Sequence, residues 1–242
     1  MRLNRILSIP RALLRKCGYD FIRYVEAGSL VNSRRHRVIQ DNQVDVVLDI
    51  GASEGSFGEK LRNSGYNGRI ISFEPLTEAY ESLLKVSCND PLWQTVNTAI
   101  GNYDGVAFIN VSERKTSSSI LSMLPSHVAA APESVYIAKE QVQMSRLDSI
   151  LDDLITRSNR IYIKVDVQGY ELNVLQGAVE TLKITYVIEV EASMIPLYKG
   201  SITYPNLIKE LDNLGFYLIS WEDVFTNPKT GYVLQSDCIF AR

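Results

Sequence analysis

The chain has 242 residues, of which 45% are hydrophobic and 22% are charged. This composition excludes disordered and coiled-coil proteins and is typical of one globular domain, or of one domain with an extension. The net charge of −3 is unevenly distributed, because residues 1–40 carry nine basic and only two acidic side chains. The sequence therefore divides into a basic leader, residues 1–40, and an acidic main domain, residues 41–242. The acidity of the main domain argues against a nucleic-acid partner.

Cysteine and histidine are too few and too scattered for a disulfide framework or a structural zinc site. The three cysteines are Cys17, Cys88 and Cys238, and the two histidines are His36 and His127. We therefore expect free thiols in a reducing compartment, which favours a cytoplasmic protein. No apolar run approaches the about 18 residues that a membrane-spanning helix needs.

The leader is predicted to contain a helix after Pro10, since Leu13, Leu14, Cys17 and Phe21 recur at helical spacing among basic residues. Residues 1–24 then form a basic amphipathic segment. Such a segment either packs on the main domain or makes a peripheral contact with an anionic membrane surface. Both alternatives stay open.

From residue 44 onward, short apolar segments alternate with amphipathic ones. The predicted strands are Val44–Ile50, Arg69–Phe73, Gln94–Ala99, Ile161–Val165, Tyr186–Val190, Phe216–Ser220 and Cys238–Ala241. The predicted helices are Ser56–Ser64, Glu78–Ser87, Leu147–Arg157, Tyr170–Leu182 and Tyr204–Leu214. This alternation predicts an α/β fold of βαβ units with a mostly parallel sheet. The stretch Val106–Met144 fits less well, and we expect an inserted strand pair followed by a long loop that covers a site.

A glycine-containing turn, Asp49–Gly55, lies between the first predicted strand and the first predicted helix. Gly51 and Gly55 allow the backbone to approach a ligand, and the helix N-terminus offers free N–H groups. The spacing is D-x-G-x-x-x-G rather than the dinucleotide fingerprint G-x-G-x-x-G, which disfavours an NAD-linked oxidoreductase.

Glu74 ends the second predicted strand, 23 residues after Gly51. A carboxylate at this place in a doubly wound sheet can accept hydrogen bonds from two ribose hydroxyls. The alternative is that Glu74 caps a helix beginning near Thr77. Together with the glycine turn, Glu74 favours a nucleoside ligand.

These motifs and those after them resemble the FkbM family of S-adenosylmethionine-dependent methyltransferases. The resemblance lies in Val47–Ala52, Phe73–Pro75, Ala99–Asn102, Arg146–Asp148, Lys164–Glu171, Val174–Ala178 and Glu189. It implies a class I methyltransferase fold, a Rossmann-like doubly wound sheet of seven strands with the last strand antiparallel, here with an N-terminal helical extension. One departure is Tyr170, where the family often has a small residue.

The resemblance also implies that S-adenosylmethionine is the cofactor. Its methionine part would be contacted by Asp49, Gly51 and Gly55, with Ala52 in the same turn. Glu74 would hold the ribose, and Ala99 and Ile100 would lie near the adenine.

Three side chains are candidates for the chemical step. A hydroxyl acceptor needs a base, and Asp166 stands at the C-terminal end of the fourth major strand, where open α/β sheets bind ligands. Glu171 follows in the next helix, although near a helix N-terminus it also stabilises that helix. His127 is the other candidate base, with an exposed loop residue as the alternative.

Asp166, Glu171 and Glu189 are placed either to converge on the acceptor or to bind Mg²⁺, but no spacing specifies a metal, so a divalent metal is not favoured. Glu189 has a second interpretation, a structural contact with Lys164. The sequence thus predicts an O-methyltransferase that acts on a hydroxyl of a sugar, a glycan precursor or a secondary metabolite. A saccharide acceptor is preferred. The alternative is a non-catalytic nucleoside-binding module recruited through its leader.

Overall fold

A computed structural model describes residues 31–242, with side chains from residue 34 onward. The segment 1–24 and Cys17 lie outside the described residues. The helices are α1 (Val31–Asp41), α2 (Ser56–Asn63), α3 (Thr77–Ser87), α4 (Pro125–Ala130), α5 (Leu147–Ile150), α6 (Glu171–Gln176), α7 (Val179–Ile184) and α8 (Tyr204–Asn213). The strands are β1 (Val46–Ile50), β2 (Arg69–Phe73), β3 (Trp93–Val96), β4 (Ala99–Ile100), β5 (Gly105–Ser112), β6 (Tyr136–Ser145), β7 (Ile161–Val165), β8 (Thr185–Ser193), β9 (Tyr217–Thr226) and β10 (Val233–Ala241).

Seven strands form the main sheet in the order β3-β2-β1-β7-β8-β10-β9. The strands from β3 to β8 pair in parallel, and β10 runs antiparallel to both of its neighbours. The predicted class I methyltransferase fold, with its last strand antiparallel, is confirmed. Strands such as β1 and β7 are buried at every residue, which explains why they are mostly apolar, with Asp49 and Lys164 as the charged exceptions.

Helices cover both faces of this sheet, because alternate side chains of a strand point to opposite faces. Leu48 and Ile163 pack on one face against the helices α5 to α8. Val47 and Tyr162, one residue earlier in each strand, pack on the other face with α1 to α3. The two apolar layers fix the register of the strands, and therefore fix which residues reach the carboxyl edge of the sheet.

The insert, residues 99–145, differs from its prediction. We expected a strand pair followed by a long loop, but β5 and β6 pair antiparallel across the whole insert, and the connecting segment that contains α4 lies between them. Pro125 begins α4 in the first helical turn, where its missing N–H is tolerated. With β4 these strands form a second, three-stranded sheet beside the carboxyl edge of the first.

The helix predicted over Tyr170–Leu182 is interrupted. It forms α6 and α7, which are separated at Gly177. A Cβ atom at Gly177 would lie 1.8 Å from the carbonyl oxygen of Gly101, so the insert passes too close for any larger residue. Within residues 31–242, no helix is both long and apolar enough to span a bilayer.

Candidate functional site

The turn after β1 is held against the end of β2. The N–H groups of Gly51 and Ala52 both donate to the carbonyl oxygen of Phe73 at 3.0 Å. Gly51 has a φ of +84°, and a Cβ atom there would lie 1.9 Å from the carbonyl oxygen of Asp166. Glycine is therefore required at this position by both the backbone conformation and the close approach of β7.

Gly55, the second glycine of the turn, has a different role from Gly51. It precedes α2 with a φ of +93°, and a Cβ atom there would lie 2.9 Å from a methyl carbon of Leu83. The position is thus constrained by packing against α3. Gly55 does not line the cavity beside the turn, so its assignment to the cofactor stays a prediction.

A cavity of about 260 Å³, here called the larger cavity, opens at the carboxyl edge of β1, β2 and β7. Six of the seven residues assigned to the cofactor line it together: Asp49, Gly51, Ala52, Glu74, Ala99 and Ile100. Ile109 and Ile120 of the insert close one side of it with apolar surface, and Tyr170, just before α6, adds to the wall. The residue that departs from the family pattern, Tyr170, therefore shapes this cavity directly.

Glu74 joins the turn to the start of α3. Its Oε2 accepts a hydrogen bond from the Ser53 N–H at 2.8 Å, and its Oε1 accepts one from the Leu76 N–H at 2.9 Å. Leu76 is the N-cap residue of α3, but no side chain forms a capping hydrogen bond at this helix, so the helix-capping interpretation of Glu74 is not confirmed. Burial raises the pKa of Glu74 to about 7, against the effect of these two hydrogen bonds. Each carboxylate oxygen keeps a further lone pair for a ligand hydroxyl.

Asp49 lies at the bottom of the larger cavity and is 1% exposed. The hydroxyl of Ser72 donates to its Oδ2 at 3.0 Å, and the indole N–H of Trp93 donates to that hydroxyl at 3.0 Å. Burial raises the pKa of Asp49 to about 7, while the Lys164 ammonium acts in the opposite direction. The proximity of Ser72 and Trp93 to Asp49 was not predicted from the sequence, since it depends on the pairing of β1, β2 and β3.

Asp166 follows β7 and lines both the larger cavity and a second one. Its Oδ2 lies 3.3 Å from Lys164 Nζ, and its Oδ1 accepts a hydrogen bond from Gln168 Nε2 at 2.9 Å. The side chain is 34% exposed, whereas that of Lys164 is only 6% exposed. The Asp166 carboxylate is thus partly exposed beside both cavities, and Lys164 and Gln168 hold its two oxygens in place.

Gln168 has a left-handed backbone, with a φ of +53°, which is uncommon for a residue other than glycine. Its Nε2 also donates to Glu191 Oε2 at 2.7 Å, and its Oε1 accepts the hydroxyl of Tyr198 at 2.7 Å. One amide therefore bridges two carboxylates, Asp166 and Glu191. No role of Gln168 or Glu191 was predicted from the sequence, because only the pairing of β7 with β8 brings the two residues together.

The second cavity, here called the smaller cavity, has a volume of about 130 Å³. Its lining is mostly polar: Arg114, Thr116, Ser117, His127, Asp166, Gln168, Glu191, Val224, Phe225 and Gln235. Thr116, Asp166 and Gln168 also line the larger cavity, so the two cavities share a wall.

His127 lies in α4 and is 2% exposed, so the interpretation as an exposed loop residue is wrong. Its ring contacts Tyr198 edge-on, with 5.1 Å between ring centroids. Burial, and to a lesser extent the charge of Arg114, lower the pKa of His127 to about 4. Its Nδ1 has no hydrogen-bond partner within the part of the chain that the structure describes. A catalytic role for His127 stays a prediction.

Glu171 is buried at the start of α6 and lines neither cavity. Its Oε1 accepts a hydrogen bond from the Gly169 N–H at 2.8 Å, which closes the turn after Gln168. Burial raises its pKa to about 7. In the structure Glu171 supports the loop that carries Asp166, and its catalytic assignment stays a prediction.

Glu189 lies apart from Asp166. Its carboxylate pairs with the guanidinium of Arg35 and accepts the hydroxyl of Tyr162. Lys164 forms ion pairs with Asp166 and Asp237. It is also the register partner of Glu189 across β7 and β8, and its charge helps to lower the pKa of Glu189, so the structural interpretation of Glu189 is supported although Arg35 is its ion-pair partner. Across residues 31–242, no cluster of three or more His, Cys, Asp or Glu side chains is arranged to hold a metal ion.

Several solved structures are similar to this chain. Methyltransferase FkbM from Methylobacillus flagellatus is 14% identical with a TM-score of 0.48, and the match covers 82% of this chain and 44% of that one. Precorrin-6y C5,15-methyltransferase from Geobacter metallireducens is 14% identical with a TM-score of 0.44, over 93% and 95% of the two chains. Fibrillarin from Aeropyrum pernix, crystallised with bound S-adenosyl-L-methionine, is 11% identical with a TM-score of 0.46, over 86% and 74%. The chain thus spans less than half of the Methylobacillus protein.

No curated protein sequence matches the chain. The methyltransferase FkbM domain matches residues 49–218, which is more than half of the sequence. The matched range begins at Asp49 and includes Glu74, Asp166 and the whole insert. The chain therefore belongs to the FkbM family of S-adenosylmethionine-dependent methyltransferases.

Proposed function

We propose that this protein transfers the methyl group of S-adenosylmethionine to a hydroxyl oxygen of a sugar, a glycan precursor or a secondary metabolite. The observation that carries the proposal is the position of Asp166, whose carboxylate lies in the wall between the two cavities. A base at the boundary between a cofactor site and an acceptor site is what O-methyl transfer requires.

The larger cavity offers both acidic and apolar contacts for the cofactor. The carboxylates of Asp49 and Glu74 lie on the side of the β1 turn, where they can accept an ammonium group and ribose hydroxyls. Ala99, Ile100 and Ile109 form the opposite, apolar wall, which suits the flat face of adenine. The combination of two acceptors and one apolar wall supports a nucleoside that carries an amino-acid tail.

The cofactor supplies a methyl group that its sulfonium has already activated. The chain's own residues then have three tasks, to align the acceptor, to remove its proton and to exclude water. Asp166 takes the proton, since its oxygens are directed by Lys164 and Gln168 and its side chain is accessible from both cavities. The insert limits water, because Ser119 Oγ donates to the Gln168 carbonyl oxygen at 2.6 Å and holds the insert against the Asp166 loop.

The basic leader is the reason for preferring a saccharide acceptor. Residues 1–24 are basic and amphipathic in sequence, and such segments bind anionic lipid surfaces. We propose that they hold the enzyme at the inner face of a membrane, near lipid-linked precursors. Co-sedimentation of the full chain and of a variant lacking residues 1–24 with anionic liposomes tests this, and equal behaviour of the two would contradict it.

Cofactor identity is tested by calorimetric titration of the full chain with S-adenosylhomocysteine and, separately, with NAD⁺. We expect saturable binding of S-adenosylhomocysteine and no binding of NAD⁺, because the turn lacks the dinucleotide glycine spacing. Binding of NAD⁺ without binding of S-adenosylhomocysteine would overturn the proposal. Methyl transfer to a panel of hydroxylated acceptors then separates an enzyme from a nucleoside-binding module.

A further inference from the structure

The smaller cavity reaches the proposed base from the side opposite the larger cavity. It shares Thr116, Asp166 and Gln168 with the larger cavity, so a group bound in it lies next to the Asp166 carboxylate. Its volume of about 130 Å³ is half that of the larger cavity, about 260 Å³. The space therefore suits a group smaller than the one that the larger cavity holds.

His127 places a buried imidazole ring in the lining of this cavity. The residue lines the cavity and is 2% exposed, and its Nδ1 lacks a hydrogen-bond partner among the residues that the structure describes. A buried polar atom without a partner costs free energy, which a ligand group with a matching donor or acceptor recovers. Since burial lowers its pKa to about 4, the imidazole is neutral near pH 7 and is a weak base. It is better suited to holding a hydroxyl than to removing a proton.

The charges around the cavity select against anions. Asp166 and Glu191 both line it, and the amide of Gln168 bridges them. Arg114 lines it as well, but its guanidinium is paired with Glu133 at 3.2 Å. Burial and the nearby Asp166 charge raise the pKa of Glu191 well above its ordinary value, so the charge that opposes an anion comes from Asp166. A carboxylate or phosphate in the cavity would lie beside the Asp166 carboxylate, and like charges at short range are disfavoured.

We propose that the smaller cavity is the acceptor site, that His127 holds a second hydroxyl of the acceptor by a hydrogen bond, and that the acceptor end bound there is neutral and polyhydroxylated. This inference rests on the proposed function, since it places the reacting hydroxyl next to Asp166. His127 is then a residue that binds the acceptor, and Asp166 alone acts as the base.

The test uses the two histidines of the chain, whose ring nitrogens give separate signals in ¹⁵N-histidine NMR spectra. His127→Gln identifies the His127 signals. The full chain, loaded with S-adenosylhomocysteine, is titrated with methyl α-D-glucopyranoside and, in parallel, with glucuronate. We expect a saturable shift of the His127 ring nitrogens with the neutral glucoside and at least a tenfold weaker response to glucuronate.

Two matched variants locate the response. Val224 and Ile219 are both half-exposed on β9, but only Val224 lines the smaller cavity. Val224→Trp should fill the entrance and abolish the shift, whereas Ile219→Trp should leave it unchanged, and both should bind S-adenosylhomocysteine as the parent protein does. No shift with the glucoside, an equal shift with glucuronate, or equal responses of the two variants would overturn the inference. Failure to bind S-adenosylhomocysteine would instead contradict the proposed function.

Discussion

The guanidinium of Arg35 lies against the carboxylate of Glu189, with 2.7 Å between Nε and Oε2, and both side chains are buried. The pair joins α1 to β8 near the middle of the main sheet. Burial raises the pKa of Glu189, but the hydrogen bond and charge of Arg35 outweigh burial and hold it below its ordinary value. At least one of the basic residues of the leader therefore stabilises the fold.

Removing one partner of this pair should be strongly destabilising. Arg35→Met leaves a buried carboxylate without its main counter-charge, and we expect a loss of about 3–5 kcal/mol in the free energy of unfolding. Urea denaturation followed by circular dichroism measures it. Arg37→Met is the control, because Arg37 is exposed on the same helix and lies 3.7 Å from an exposed Asp41, so the change should stay within about 0.5 kcal/mol. Equal losses in the two variants would contradict the role of Arg35.

Gly51→Ala and Gly200→Ala distinguish two costs of replacing a glycine, the strain of a positive φ and the steric clash of the added Cβ atom. Both glycines have a positive φ, +84° and +83°, but a Cβ atom at Gly51 would collide with the carbonyl of Asp166, whereas at Gly200 it would meet open space. We expect Gly200→Ala to cost about 1 kcal/mol. Gly51→Ala should cost at least about 2 kcal/mol more and should abolish binding of S-adenosylhomocysteine. Similar melting temperatures for the two variants would contradict this explanation.

Binding of S-adenosylhomocysteine should weaken as the pH falls through about 7. Burial raises the pKa of Glu74 to about 7, so the carboxylate that accepts ribose hydroxyls becomes protonated below that pH. Burial also raises the pKa of Asp49 to about 7, and protonation of Asp49 should lower the affinity for S-adenosylhomocysteine in the same direction. For one such group we expect affinity to fall roughly tenfold between pH 8 and pH 6.

Glu74→Gln should reduce the affinity and flatten this profile, whereas Glu81→Gln, an exposed change on α3, should alter neither. Calorimetry at several pH values measures both effects. An affinity that is constant from pH 6 to pH 8 in the parent protein would contradict the assignment of Glu74.

Acid should destabilise the fold in part through His127. Its pKa in the folded protein is about 4, below the ordinary value of 6.5. Between those two values the unfolded chain binds a proton that the folded chain does not, so stability falls as the pH falls from 6.5 to 4. Between pH 6.5 and pH 4, the free energy of unfolding should fall by about 2 kcal/mol less in His127→Gln than in the parent protein, with allowance for solvent screening. Parallel stability profiles of the two proteins over this window would argue against it.

Asp166→Asn should lower kcat by about 10²- to 10⁴-fold, with little change in the affinity for S-adenosylhomocysteine. Asp237→Asn is a matched control, since Asp237 pairs with the same Lys164 ammonium at 3.4 Å but lines neither cavity. Its kcat should stay within tenfold of the parent value. Full activity of Asp166→Asn would exclude Asp166 as the base.

Much of the fold was predictable because its central strands are buried on both faces. The predicted strands Arg69–Phe73 and Ile161–Val165 coincide with β2 and β7, since a short and mostly apolar segment is typical of such a strand. The insert was harder, because its strands are half-exposed at the edge of the domain. Pairing between β5 and β6 depends on contacts across more than 20 residues of intervening chain, which local patterns do not encode.

The site was predictable where residues close in sequence act together. Asp49, Gly51 and Ala52 occupy one turn, and Glu74 is recognisable by its distance from that turn. The bridge from Gln168 to Glu191 was not predictable, because it joins two strands and depends on a left-handed residue that is not glycine. The burial of Arg35 was indicated only weakly by the sequence, through its position four residues before the buried Ile39 on the same side of α1.

The hydrogen bonds from Trp93 to Ser72 and from Ser72 to Asp49 provide an optical reporter for the larger cavity. The chain has two tryptophans, and Trp93 is 7% exposed whereas Trp221 is 56% exposed. Iodide in solution should therefore quench Trp221 selectively and leave the emission of Trp93. A change in the charge or hydrogen bonding of Asp49 then alters the surroundings of that indole, so occupancy of the cavity can be followed by the intrinsic fluorescence of the unlabelled protein.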